Sequence, residues 1–244
     1  MSKKPQLSVV IPCYNEGINV RLILKRFREV KGDVNLELIL VDNGSTDDTA
    51  DILAEELAKA ENSFARTVLV RQNIGYGNGI LFGLQHAKGN ILSYTHADMQ
   101  CDPNDVMRAY KIISQKIHKD KFLIKGRRKT RKVIPQLLTG SFQLIASTLF
   151  WERYFEVNAQ PKVFHHSFLS YLKQAPLDFN LDFFIVYKAK RLKLKTINIP
   201  VEFPERQYGE SKWAFSHLSK LKTINNYIKY MINLRFRGEK RAKQ

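Results

Sequence analysis

Asp98 and Gln100, in the run Tyr94-Thr95-His96-Ala97-Asp98-Met99-Gln100, are the residues of this 244-residue chain whose types and spacing point most directly to chemistry. They follow Ile91-Leu92-Ser93-Tyr94, an apolar stretch that reads as a buried strand. A carboxylate and an amide at the carboxyl end of such a strand project into the crevice where open α/β sheets bind ligands. Hard oxygen donors on alternate residues of an extended segment point the same way, so one divalent cation reaches both. Such an arrangement suits holding a metal against a nucleoside diphosphate. Where most sites of this kind begin with another aspartate, this chain has His96.

Three more clusters fall at the ends of predicted strands. The first strand ends in Ile11-Pro12-Cys13-Tyr14-Asn15-Glu16, and the second in Val41-Asp42-Asn43-Gly44-Ser45-Thr46-Asp47-Asp48-Thr49. The third leads to Arg71-Gln72-Asn73-Ile74-Gly75-Tyr76-Gly77-Asn78-Gly79. Asp47 is placed to cap the helix that follows, with Gly44 and Ser45 making the turn. Asp42 ends a buried strand, and its carboxylate needs a partner that a base or ribose hydroxyl would supply. The glycines at 75, 77 and 79 are spaced G-x-G-x-G after the third strand, which is not the dinucleotide fingerprint.

The elements that must position these clusters alternate. Strands are predicted at Leu7 to Ile11, Leu36 to Val41, Thr67 to Val70 and Ile91 to Tyr94. Helices are predicted at Gly17 to Val30, Asp47 to Asn62, Tyr76 to Ala87 and Pro103 to Ile117. Alternating units of this size imply an α/β fold with a mostly parallel sheet and helices on both faces. The second half is less regular. It offers a strand from Phe122 to Gly126 ending in a basic cluster, an apolar stretch from Leu137 to Trp151 and a helix from Asp182 to Leu192. An extended segment follows from Lys195 to Phe203, then an amphipathic helix from Phe215 to Phe236 and a basic tail. The stretch at 137–151 is too short for a simple span and suited to lie in a membrane interface. The expected organisation is one domain over 1–212, with a donor-side half at 1–120 and an acceptor-side half at 121–212, and an appended helix and tail at 213–244.

Composition narrows the class. With 44% hydrophobic and 26% charged residues the chain reads as globular. No run of 18 apolar residues predicts a transmembrane helix. Met1-Ser2-Lys3-Lys4-Pro5 leads straight into a strand, which predicts no signal peptide, and two cysteines predict no disulfide framework. The formal charge of +17 is lopsided: residues 1–120 carry 15 basic and 15 acidic side chains, and the other 25 basic and 8 acidic ones lie in 121–244. A neutral first half and a basic second half point to two surfaces with different partners, the basic one suited to an anionic membrane surface. No recognition motif supports nucleic acid.

Taken together these clusters resemble glycosyltransferase family 2, whose members have the GT-A fold. Pro12 to Glu16 match its P-x-Y-N-E segment, and Val41 to Thr49 match V-D-D-G-S-x-D-x-T with Asn43 in place of the second aspartate. Ala97, Asp98 and Gln100 match D-x-D-x-Q with His96 in the first position. Arg206-Gln207-Tyr208-Gly209-Glu210-Ser211-Lys212 is similar to the R-x-x-G-x-S-K loop of the dolichol-phosphate mannosyltransferase-like and polyprenyl-phosphate glycosyltransferase subgroup, where it closes over the donor diphosphate. Tyr187-Lys188-Ala189 and Ile199-Pro200-Val201 resemble the same subgroup, whereas the segment from Asn158 to Lys162 differs from its acceptor-side loop.

The resemblance implies an inverting sugar transfer from a nucleotide-diphosphate sugar, assisted by Mg²⁺ or Mn²⁺. Asp98 and Gln100, with His96 beside them, would hold the metal; Arg206 and Lys212 would stabilise the departing diphosphate. Pro12, Tyr14, Glu16, Asp42, Asn73, His96, Ala97, Asp98 and Ser211 would line the nucleotide-sugar site. A lipid phosphate acceptor would need cations, for which Arg127, Arg128 and Arg131 are candidates. A sugar hydroxyl would need a carboxylate base, for which Asp182 and Asp178 are candidates. The expected setting is peripheral, on the cytoplasmic face of a membrane, beside a membrane-protein partner or a second copy of the chain. A non-catalytic nucleotide-sugar-binding or scaffold protein is the alternative that His96 and Asn43 carry.

Overall fold

The computed structural model describes residues 4–129, 133–204 and 217–239, with the main chain alone for 133–141 and 217–222. Seven strands form one sheet: β1 (Leu7–Cys13), β2 (Leu36–Asp42), β3 (Ala65–Leu69), β4 (Ile91–Tyr94), β5 (Phe122–Arg128), β6 (Lys162–His165) and β7 (Lys195–Val201). Their order is β3-β2-β1-β4-β6-β5-β7. Pairing is parallel except at β6, which runs against both β4 and β5. The helices are α1 (Gly17–Val30), α2 (Thr49–Leu57), α3 (Tyr76–His86), α4 (Pro103–Ser114), α5 (Val133–Phe150), α6 (Leu181–Arg191) and α7 (His217–Arg237).

The side-chain alternation of β1 divides the core. Leu7, Val9, Ile11 and Cys13 pack with Val20, Ile23 and Phe27 of α1, Leu53 of α2 and Val106 of α4. Val10 faces the other way, towards Ile80 and Leu84 of α3, Phe183 and Phe184 of α6 and Met231 of α7. Helices therefore cover both faces, as the alternation of elements required. Helix α7 buries Tyr227, Tyr230, Met231 and Leu234, while Ile232 and Phe236 stay exposed. Leu144, in the middle of the apolar stretch, and Trp151, at its end, are also exposed. No helix among the described residues is long and apolar enough to cross a membrane.

Two elements differ from the sequence reading. The helix expected over 47–62 ends at Leu57 and is followed by a separate 3₁₀ turn, Ala60–Asn62. The side chain of Asn62 donates to the Glu56 carbonyl at 2.8 Å, which competes with the continuing helical ladder. Strand β6 was not anticipated, because its four residues, Lys-Val-Phe-His, open on a charge. That lysine is buried all the same, and it lies in a row across the sheet: Tyr94 pairs with Lys162, and Lys162 with Lys125.

The glycine run is a packing seam. A Cβ at Gly75 would sit 2.4 Å from the Leu177 carbonyl oxygen, and one at Gly77 would lie 2.6 Å from that of Asp178. A Cβ at Gly79 would meet the Asn43 side chain at 2.8 Å. The segment at 176–178 therefore lies directly on the start of α3, and Asn78 N–H donates to the Leu177 carbonyl at 2.8 Å. Spacing of i, i+2, i+4 here serves two neighbours, the 176–178 segment and the Asn43 side chain.

Two outcomes follow from this packing. Gly77→Ala forces backbone apart along the seam and is expected to cost about 1–3 kcal/mol in urea unfolding; an unchanged midpoint would show that the seam yields freely. Lys125 is almost wholly buried, its Nζ held by the carbonyls of Gly126 (3.2 Å) and Glu156 (3.0 Å). Burial, with Lys162, Arg128 and Arg127 nearby and only Glu156 opposing them, lowers its pKa from 10.5 to about 7. The folded chain then binds fewer protons than the unfolded chain between those values, so this group makes stability rise with pH across that window. The raised thiol pKa values of buried Cys13 and Cys101 act in the opposite sense at alkaline pH. Comparing wild type with Lys125→Met cancels them: the stability difference should shift in favour of wild type by up to about 1.4 kcal/mol per pH unit from pH 7 to 10. A difference independent of pH would refute the buried amine.

Candidate active site

The loops after β1 and β2 are knitted together at the carboxyl edge of the sheet. Asn15 N–H donates to Ser45 Oγ at 3.1 Å, Thr46 N–H donates to Asn15 Oδ1 at 2.8 Å, and Glu16 N–H donates to Thr49 Oγ1 at 3.0 Å. Asn15 adopts φ 54°, a left-handed turn that asparagine tolerates. Pro12, Tyr14 and Glu16 are half-buried along this edge, and Glu16 Oε2 accepts from Asn19 Nδ2 at 2.7 Å. Asp47 holds the first N–H of α2, accepting from Thr49 N at 3.0 Å, as its position before the helix required.

Asp42 and Asn43 are both buried, at the end of β2. Asp42 Oδ1 accepts from Ser45 N–H at 2.9 Å, which closes the turn. Asn43 Nδ2 donates to the Gly75 carbonyl at 3.1 Å, and its Oδ1 has no hydrogen-bond partner among the described residues. The amide thus ties β2 to the glycine run, an attachment that an aspartate could not make. Asn73 in turn accepts from Gly75 N–H at 3.0 Å, so it braces the same loop.

At the end of β4 the backbone is not extended. Residues 95–101 bend, Met99 adopts φ 57°, and Asp98 Oδ1 accepts from Gln100 N–H at 3.2 Å. Asp98 and Gln100 are therefore brought together by a turn, not by strand alternation. Gln100 Nε2 donates to the Pro204 carbonyl at 2.8 Å, which anchors the segment leaving β7. Ala97 is buried among the α1 and α4 side chains. His96 stacks on Tyr76 with ring centroids 5.5 Å apart, and burial pushes its pKa down, so the imidazole is neutral at pH 7. Among the described residues no group of three or more His, Cys, Asp or Glu side chains is placed to hold a metal. The donor set around Asp98 fits a cation that draws its remaining ligands from substrate phosphates, a common habit of Mg²⁺.

Asp182, at the start of α6, is 3% exposed and receives three donors on Oδ1. These are Tyr94 Oη at 2.7 Å, Gln160 Nε2 at 2.9 Å and Lys162 Nζ at 2.5 Å. Lys162 is completely buried; desolvation lowers its pKa and the Asp182 carboxylate opposes that shift. Asp178 binds Asn180 through both carboxylate oxygens, at 2.9 and 2.8 Å. Of the acceptor-side cations, Arg127 is exposed over the Phe155 ring at 5.4 Å, whereas Arg128 pairs with Glu156 at 2.7 Å. Arg131, Arg206, Ser211 and Lys212 lie outside the described residues. The sequence reading missed Tyr76, Gln160, Lys162 and Phe179. The one available signal was a polar residue, Lys162, opening an otherwise apolar run.

The chain and its fold are similar to known proteins. Residues 8–142 match the model of glycosyl transferase family 2. The chain is 28% identical over 223 residues to the undecaprenyl-phosphate 4-deoxy-4-formamido-L-arabinose transferase of Edwardsiella ictaluri (strain 93-146), covering 88% of this chain and 65% of that protein. It is 26% identical to the protein of the same description from Sodalis glossinidius (strain morsitans), over 90% of this chain and 66% of that one. The chain thus spans less than two thirds of the length of these relatives. Its fold is similar to glucosyl-3-phosphoglycerate synthase from Mycobacterium tuberculosis, crystallised with Mn²⁺ and uridine diphosphate, at a TM-score of 0.67 and 16% identity over 95% of this chain and 80% of that one. A mannosyltransferase from Pyrobaculum calidifontis, in complex with GDP-mannose and Mn²⁺, matches at 0.62 with 19% identity over 85% and 59%. The family match over residues 8–142 and the likeness of fold agree: the chain has the GT-A fold and belongs to glycosyl transferase family 2.

Proposed function

We propose that this chain transfers a sugar, with inversion, from a nucleotide-diphosphate sugar to a polyprenyl phosphate, working as a peripheral protein on the cytoplasmic face of a membrane. One observation carries the choice of acceptor. Both carboxylates that would serve as base for a hydroxyl acceptor are occupied: Asp182 by three donors in a buried site, Asp178 by Asn180. The oxygens so engaged are turned to partners within the protein and not to an acceptor hydroxyl. A lipid phosphate is already an anion and needs positioning only. The undecaprenyl-phosphate relatives and the basic excess of residues 121–244 support the same reading.

The edge formed by Pro12, Tyr14, Glu16, Asp42 and Asn73 suits the nucleotide. Asp98, with Gln100 beside it, would hold Mg²⁺ or Mn²⁺, which when bound supplies Lewis-acid stabilisation of the leaving diphosphate. Arg206, Ser211 and Lys212 are assigned to the same diphosphate from the sequence pattern. Arg127, exposed and seated on Phe155, is available to meet an incoming phosphate, with Arg131 four residues further along the chain. Arg128 holds that strand end in place through Glu156.

The test is transfer from UDP- and GDP-linked radiolabelled sugars to undecaprenyl phosphate, to undecaprenol and to an oligosaccharide, each with Mn²⁺, Mg²⁺ or chelator. Product is expected from the phosphate alone, with metal, and at least 100-fold less from Asp98→Ala. Transfer to either hydroxyl acceptor at a comparable rate would overturn the assignment.

A further inference from the structure

Three aromatic rings lead from the strand end that carries Asp98 towards the surface. His96 stacks on Tyr76 at 5.5 Å and 24° between planes, and Tyr76 stacks on Phe179 at 5.1 Å and 17°. The three come from the end of β4, the first turn of α3 and the loop entering α6. Phe179 is 43% exposed, and its carbonyl accepts from Tyr227 Oη of α7, which fixes the ring's position. The stack therefore ends in an aromatic ring open to solvent.

Two buried amide oxygens accompany it. Gln160 turns its Nε2 to Asp182 and, at 3.3 Å, to Tyr76 Oη, so its amide orientation is set. Asn180 turns its Nδ2 to Asp178. Gln160 Oε1 and Asn180 Oδ1 are left without a hydrogen-bond partner among the described residues, in side chains only 2% and 4% exposed. A buried acceptor without a donor is costly, so a ligand bringing hydroxyl donors gains here. An aromatic face with acceptors beside it is complementary to a sugar ring, whose C–H face packs on π-electrons while its hydroxyls donate. A polyprenyl chain would use the ring and leave both oxygens unmet.

We propose that the His96–Tyr76–Phe179 stack is the platform for the donor's sugar ring, with Gln160 and Asn180 accepting from its hydroxyls. His96 is then a positioning residue at the foot of the stack instead of a metal ligand. The proposal rests on the nucleotide-sugar reading above. Asp98 lies near enough to the stack for its charge to act on the Tyr76 hydroxyl, so a diphosphate held there brings its sugar to these rings. The departure at position 96 gains a reason: a carboxylate would face the negative π-surface of Tyr76, where an imidazole stacks.

The experiment is calorimetric titration, with Mn²⁺, of UDP-glucose against UDP and of GDP-mannose against GDP. The readout is the affinity ratio of nucleotide sugar to bare nucleotide for the pair that wild type binds. Phe179→Ala and His96→Asp are expected to lower that ratio about tenfold, while Phe179→Tyr and His96→Phe keep it within threefold. An unchanged ratio in Phe179→Ala, with the nucleotide still bound, overturns the platform alone. Loss of the ratio in His96→Phe to the level of His96→Asp overturns the stacking role. A wild-type chain that binds neither pair overturns the donor reading, and this proposal with it.

Discussion

The carboxylate of Asp182, with Tyr94, Gln160 and Lys162 converging on one oxygen, is the contact on which the rest of the crevice depends. A charge buried this deeply is tolerated only when it is paired and hydrogen-bonded. Meeting that condition joins β4, β6, the chain just before β6 and the first turn of α6 at a single point. It also decides the register of the reversed strand. A slip of one residue would send Lys162 to the opposite face of the sheet and strand Asp182 without its cation. The seat of α6 fixes the loop before it, and that loop carries Phe179 and Asn180 and covers the start of α3.

The first half of the fold was legible because β1, β2 and β4 are buried on both faces and so read as largely apolar runs. Leu38 to Val41 is an example, and turn residues follow it. Helix α1 was read to the residue, since Val20, Ile23, Leu24 and Phe27 mark one face. Strand β6 was not legible, because nothing local tells a buried lysine from an exposed one; its counter-ion lies 20 residues away. The same holds for the site. The strand-end clusters identified the edge of the sheet that carries it, yet the partner of Asp42, the turn at Met99 and the bond from Gln100 to Pro204 are products of loop conformation. Spacing placed the groups; it did not orient them.

The formal charge also reads differently once the chain is folded. Lys162 is neutralised inside the protein, Arg128 is paired with Glu156, and Lys125 titrates near neutrality. The potential offered to an anionic partner therefore comes from fewer side chains than the composition counts, with exposed Arg127 among them. Low-dielectric surroundings strengthen whatever charge remains close to the crevice.

Asn43 departs from the family pattern, but its amide is bound into the backbone of the glycine run, against a glycine that alone leaves it room. In evolutionary terms positions 43, 75 and 79 are no longer independent. An aspartate at 43 would set its oxygens against the Gly75 carbonyl, and any larger residue at 79 would displace the amide. Each substitution is admissible only after the loop has changed. Lineages carrying this arrangement are held to it by geometry, and a residue that looks like erosion of a binding motif is instead the fastener of its neighbour.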